Sequence, residues 1–160
     1  MIGIPSILMM ACLGMFGAAA VYDVASRNIP NVIPLVLLVV GGASRFWAGD
    51  LLGSIVAGGV VFVAGTVCWL MGWLGGGDVK LLGAGAVAVP LRLVPGFLLW
   101  VGLAGGVLAL IYLAGRRCVP EPTIAGGRGR SLPCRVWRVE CWRIRRGGPL
   151  PYAVAIAAAG

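Results

Sequence analysis

Gly75-Gly76-Gly77-Asp78-Val79-Lys80 decides how this chain is read. It closes a run without charge that extends from residue 51 to 77, and a second apolar run begins at Leu81. An acidic side chain thus stands at the seam between two membrane-length segments. A carboxylate inside a span costs roughly 2.5–3.5 kcal/mol on insertion scales, which makes Asp78 a candidate functional residue. Gly75, Gly76 and Gly77 carry no Cβ, so the backbone can turn sharply there and other chain can approach closely. The plain alternative is a loop aspartate between two spans, set among glycines because turns use them.

Asp23 stands in the same kind of place. It ends the uncharged run 2–22 and opens Asp23-Val24-Ala25-Ser26-Arg27-Asn28-Ile29-Pro30-Asn31, and it is one of only five acidic residues in 160. Two carboxylates therefore mark the ends of two separate spans. Arg27, four residues after Asp23, and Lys80, two after Asp78, are the nearby cations.

Composition sets the class. Hydrophobic residues make up 60% and charged residues 11%, against roughly 25% charged in soluble domains, and mean hydropathy is +1.00. The expected fold is an all-α polytopic membrane protein forming a single embedded domain over residues 1–160. Uncharged windows at 2–22, 28–44, 51–77, 81–91, 93–115 and 147–160 predict about six transmembrane helices. The fourth and sixth are short; the fourth becomes long enough if Asp78 and Lys80 lie slightly inside the membrane boundary, and otherwise the bilayer thins or neighbouring helices cover it. No basic segment precedes the first apolar run, so it reads as a retained span and not as a removed signal peptide.

Six spans place Arg45 and Arg92 on one face. Arg27, Lys80 and nine arginines between Arg116 and Arg146 fall on the other. The positive-inside rule then assigns the second face to the cytoplasm, and it puts Asp23 and Asp78 at that same boundary. Pro30 disfavours helix at Ile29 and ends the first helix soon after Asp23. Pro34 suits the first turn of the next helix. Small pairs four residues apart, Gly14/Ala18, Gly53/Ala57 and Gly102/Gly106, are expected to let helices pack closely.

Residues 116–148 form the one basic loop, expected to be cytoplasmic. Within it, 134–146 repeats Cys134, Trp137, Cys141 and Ile144 at helical spacing with arginines largely off that face, the pattern of an interfacial helix on anionic lipid. The charge follows from topology, so no nucleic-acid partner is expected. Cys12 and Cys68 lie inside spans as small apolar residues. With no histidine and no Cys-x-x-Cys, neither a structural metal site nor a Ser-His or Cys-His triad is expected.

The remaining chemistry belongs to the two aspartates. Paired carboxyls cannot both ionise, so one keeps its proton while the other serves as base. Such a pair activates water without metal or cofactor. A small proton-coupled transporter is the alternative use of membrane-boundary aspartates, although it would more often place them mid-span and show an internal repeat.

Glycine-x-glycine-aspartate at 75–78, followed by Lys80, resembles the signature of intramembrane aspartic proteases. Asp23 with Arg27-x-Ile29-Pro30-Asn31 narrows the resemblance to the type IV prepilin peptidases, and the tail from Pro151 and Tyr152 through Ala157 is similar to a third family block. The resemblance implies a catalytic pair, Asp23 and Asp78, with Gly75, Gly77, Lys80, Arg27, Pro30, Asn31, Pro151 and Tyr152 binding substrate or shaping the site. It also implies prepilin or pseudopilin precursors as substrates, a basic leader as the part removed, and action at the cytoplasmic face of the inner membrane. Larger members carry an N-terminal cysteine-containing segment and methylate the new N-terminus. This chain has no room for that segment before Asp23, so it resembles the short peptidase-only form of tight-adherence pilus systems. Ala153 stands where members often have glycine, a departure expected to loosen helix packing.

Overall fold

A computed structural model describes residues 4–26, 29–118 and 152–160. Among them the chain is all-helical: α1 (Ile4–Ser26), α2 (Val32–Trp47), α3 (Leu51–Leu70), α4 (Gly76–Ala88), α5 (Val94–Cys118) and α6 (Tyr152–Ala159), with a 3₁₀ turn at Leu91–Leu93. Three segments are long and apolar enough to cross a membrane, Ile7–Ser26, Leu51–Leu70 and Leu91–Ala114, and α2 is a shorter apolar helix. The loop 116–148 and the interfacial helix expected at 134–146 lie outside the described residues, apart from the end of α5.

The connections follow from local chemistry. Pro30 bars helix at the residue before it, and its carbonyl accepts the Ile33 N–H at 3.0 Å to start α2. Pro34 occupies the first turn of α2, where a missing N–H costs nothing. The helices α2 and α3 end alike. Gly49 (φ 74°) and Gly72 (φ 77°) adopt the left-handed conformation, and the next residue reaches back five positions, Asp50 N–H to the Arg45 carbonyl and Trp73 N–H to that of Cys68. This closes the open carbonyls of each last turn, and glycine is the residue that enters that conformation without strain. The uncharged window 51–77 is therefore not one span. It breaks at Gly72, and α4 restarts at Gly76 after an extended Gly75 (φ −77°, ψ 145°).

The chain runs up and down, so α1, α3 and α5 travel toward the end that holds Asp23, while α2, α4 and α6 travel away from it. Packing against α2 and α3 is most extensive for α4, and α6 sits between α1 and α5. At 13 residues α4 is about 20 Å long, well short of a ~30 Å hydrocarbon core. Its neighbours cover it instead: Val79 and every residue from Leu81 to Val87 are buried. The eight residues of α6 are likewise held inside, with Ala153, Ala155 and Ile156 buried. On α1 the buried stripe is Cys12, Phe16, Ala19 and Asp23, at the i, i+4, i+7 and i+11 spacing of one helix face.

Close helix approach does occur at glycines, but largely not at the expected pairs. A Cβ at Gly14, Gly102 or Gly106 would meet nothing within 4 Å. Gly53 is tight, against Asp50 and Leu91 of the connecting turns. The close crossings lie around α4. A Cβ at Gly41 would stand 2.6 Å from the Ala88 Cβ and 2.7 Å from its Cα, and one at Gly58 would strike Val87. Spacing alone identifies small residues; only the crossing points decide which of them touch another helix. Gly41→Ala is expected to destabilise the protein by about 1–3 kcal/mol, because Ala88 backbone cannot swing aside. Gly102→Ala should be neutral or stabilise by up to about 1 kcal/mol, since a mid-helix glycine gives up the most conformational freedom on folding. Thermal unfolding in detergent reads both; equal effects would remove the assignment of Gly41 to a tight crossing.

Candidate active site

At the end of the bundle where α1 finishes, Asp23 is buried, 6% exposed. Its Oδ2 accepts the Ala153 N–H at 3.1 Å. Ala153 lies in the first turn of α6, where the N–H groups have no partner within their own helix and the helix dipole is positive. A buried carboxyl thus closes an open helix end, and that contact ties the C-terminal part of the described chain to α1. Any residue except proline supplies the N–H. Ala153, wholly buried, meets the site through its backbone.

Asp78 is the third residue of α4 and partly exposed. Its carboxylate folds back over the residue before the helix: a Cβ at Gly75 would lie 2.8 Å from Oδ2. The backbone of Gly75 is in a conformation open to any residue, so what the glycine supplies is space. Gly77 is looser, with Ile29 3.4 Å from the place its Cβ would take. That contact seats the connection after α1 against the start of α4.

One contact deeper in the bundle relates the positions of both aspartates. A Cβ at Gly85 would be 3.1 Å from Cζ of Phe16, so α1 and α4 face each other there. Asp23 is seven residues after Phe16, and Asp78 is seven residues before Gly85. The two helices run in opposite directions. Seven residues are two turns, about 10.5 Å, and return within about 20° of the same face. Helix geometry therefore carries Asp23 and Asp78 two turns from that shared contact toward the same end of the bundle.

Lys80 points elsewhere. Two residues along a helix is about 200° of rotation, and its Nζ donates to Asn31 Oδ1 at 2.9 Å. Proximity in sequence suggested a cation beside Asp78; the structure instead uses Lys80 with Asn31 to pin the start of α2 to α4. Pro30 is half-buried beside them. Tyr152, first in α6, packs toward Gly105 of α5, whose Cβ would lie 3.1 Å from the ring. Arg27 and Pro151 lie outside the described residues. Sequence reasoning missed the Ala153 N–H and the Phe16–Gly85 contact, since neither a backbone donor nor a ring against a glycine carries a residue-type signature.

This architecture is that of a helical membrane-embedded protein with two acidic residues at one end of its bundle. The chain belongs to the type IV leader peptidase family, whose model matches residues 10–110. It is therefore a peptidase of the prepilin peptidase kind. Comparison with curated proteins and with solved structures gave no match.

Proposed function

We propose that the protein is an aspartic endopeptidase, with Asp23 and Asp78 as its catalytic pair, that removes the basic leader from prepilin-like precursors at the cytoplasmic face of the inner membrane. The observation that carries this reading is the Phe16–Gly85 contact, from which equal two-turn steps carry both carboxyls toward one end of the bundle. The pair shares one proton. The ionised carboxyl takes a proton from water, whose oxygen bonds to the scissile carbonyl carbon, and the protonated carboxyl donates to the carbonyl oxygen. Collapse of the tetrahedral species breaks the C–N bond: the departing nitrogen takes up a proton from the pair while one hydroxyl of the diol returns a proton to it, so the pair again holds one. Gly75 leaves room for the Asp78 carboxylate, and Gly77 for Ile29. Pro30, Asn31 and Lys80 hold the α1–α2 connection in place, Tyr152 begins α6, and Arg27 and Pro151 are assigned to the site by the family motif alone.

The face assignment rests on charge: Arg45 and Arg92 stand at the end opposite Lys80, and the arginine-rich loop follows α5 at the Lys80 end. A site at that boundary cuts just ahead of the substrate's own apolar helix. Moving the scissile bond six residues into that helix buries it roughly 9 Å deeper, and cleavage of a model prepilin should fall at least about tenfold, the cost of misplacing the reacting bond. Undiminished processing of the shifted substrate would mean the site works within the bilayer, against this reading.

A further inference from the structure

At the opposite end of the bundle a cavity of 490 Å³ lies beyond the last turn of α6, between α1 and α5. Its walls are apolar and continuous with the outer surface of the bundle. Met9 and Leu13 of α1 and Trp100 of α5 line it while remaining exposed, so a chain in the cleft would extend directly into surrounding lipid. Its floor is different. Ser44 is buried there, and among the described residues that line the cavity Arg45 carries the one charged side chain.

Among the described residues nothing satisfies Arg45. Its Nε is buried and has no hydrogen-bond partner. Its terminal nitrogen makes one long contact, 3.4 Å to Ser44 Oγ. A guanidinium presents five N–H donors in a planar fork that matches two oxygens of a carboxylate or phosphate. A buried donor left without a partner costs about 1–3 kcal/mol, more on a charged group. Phe46, Trp47 and Trp100 flank this level and are exposed, as aromatic residues are at the headgroup depth of a membrane. An unpaired cation at headgroup depth, under an apolar cleft open to lipid, has the chemistry of a site for an anionic amphiphile.

We propose that this cavity binds an acidic phospholipid, with the phosphodiester on the Arg45 guanidinium and Ser44 hydroxyl and one acyl chain lying in the cleft along α1 and α5. The site is at the far end of the bundle from Asp23 and Asp78 and does not depend on the peptidase reading.

Thermal unfolding of the delipidated protein in detergent tests it, with phosphatidylglycerol, phosphatidylcholine or inorganic phosphate added. Phosphatidylglycerol at saturation should raise Tm by about 4 °C or more, and the other two should leave it within about 1 °C. Arg45→Gln should remove the phosphatidylglycerol shift. Gly96→Leu should remove it as well, by filling the cleft from a position whose Cβ meets nothing within 4 Å. If Arg45→Gln does not fold, Gly96→Leu decides alone. Equal stabilisation by phosphatidylcholine, a full effect of phosphate alone, or an undiminished phosphatidylglycerol shift in Gly96→Leu would each overturn the proposal.

Discussion

Asp23→Asn and Asp78→Asn are each expected to reduce cleavage of a model prepilin by at least about a thousand-fold, with the protein still folded in the membrane. The magnitude follows from the work assigned to the pair: general acid–base transfer contributes about 10²–10⁴ per group, and groups that act as one unit fail together. Asparagine keeps the size of aspartate, and its side-chain oxygen can still accept the Ala153 N–H that reaches Asp23 at 3.1 Å. It cannot accept the proton from water or supply one as an acid. The double variant should be no slower than the worse single one. Asp50→Asn is the control. Asp50 sits at the opposite end, where it accepts the Leu91 N–H at 3.4 Å, and its replacement should leave turnover intact. Chelators should have no effect. Near-normal turnover in either single variant, or loss of activity with chelator alone, would end the aspartic reading.

Gly75→Ala should lower kcat by about a hundred-fold with little change in Tm, while Gly77→Ala keeps activity within about threefold. The two glycines occupy symmetrical places in the motif, yet their surroundings differ. A methyl group at position 75 enters at 2.8 Å from the Asp78 carboxylate oxygen. That oxygen ends a short side chain that can rotate, so the backbone survives and the carboxyl moves. Displacement of a reacting group by about 1 Å costs on the order of 10² in rate. At position 77 the new methyl meets Ile29 at 3.4 Å, an ordinary contact. Steady-state kinetics beside a thermal melt separates the cases. Equal losses at both positions would show that the motif acts through backbone flexibility and not through room for Asp78.

Several features of the fold were legible from residue types. The helical membrane class follows from composition, because a chain so poor in charge has no polar surface to offer water. The stop after Asp23 follows from Pro30, and the start of α2 from Pro34. The shortness of the fourth and sixth segments left cover by their neighbours as one alternative, and α4 is buried among its neighbours. Other features were not legible. The uncharged run 51–77 carries no charge to mark its break, and only the left-handed backbone at Gly72 divides it into α3 and α4. Gly14, Gly102 and Gly106 look like packing glycines by spacing, but contact depends on where helices cross, and the crossings fall at Gly41 and Gly58.

For the candidate site the division is similar. Asp23 and Asp78 stand out in the sequence because acidic residues are scarce and both end apolar runs, which is a statement about the cost of burying charge. The same sequence marks which residues are cations, and so which end of the bundle carries most of them. It does not determine what each charge meets. Lys80, two residues from Asp78, is turned toward Asn31 by the helical twist. A backbone N–H of Ala153, 130 positions away in sequence, reaches Asp23 because α6 happens to begin beside it. The placement of the two aspartates toward one end of the bundle rests on Phe16 entering the space left by Gly85. Residue type determined the chemistry available, since pKa, size and backbone freedom belong to each side chain; the tertiary structure decided its pairing, because distance between chain segments is set by helix direction and crossing point, which no local pattern encodes.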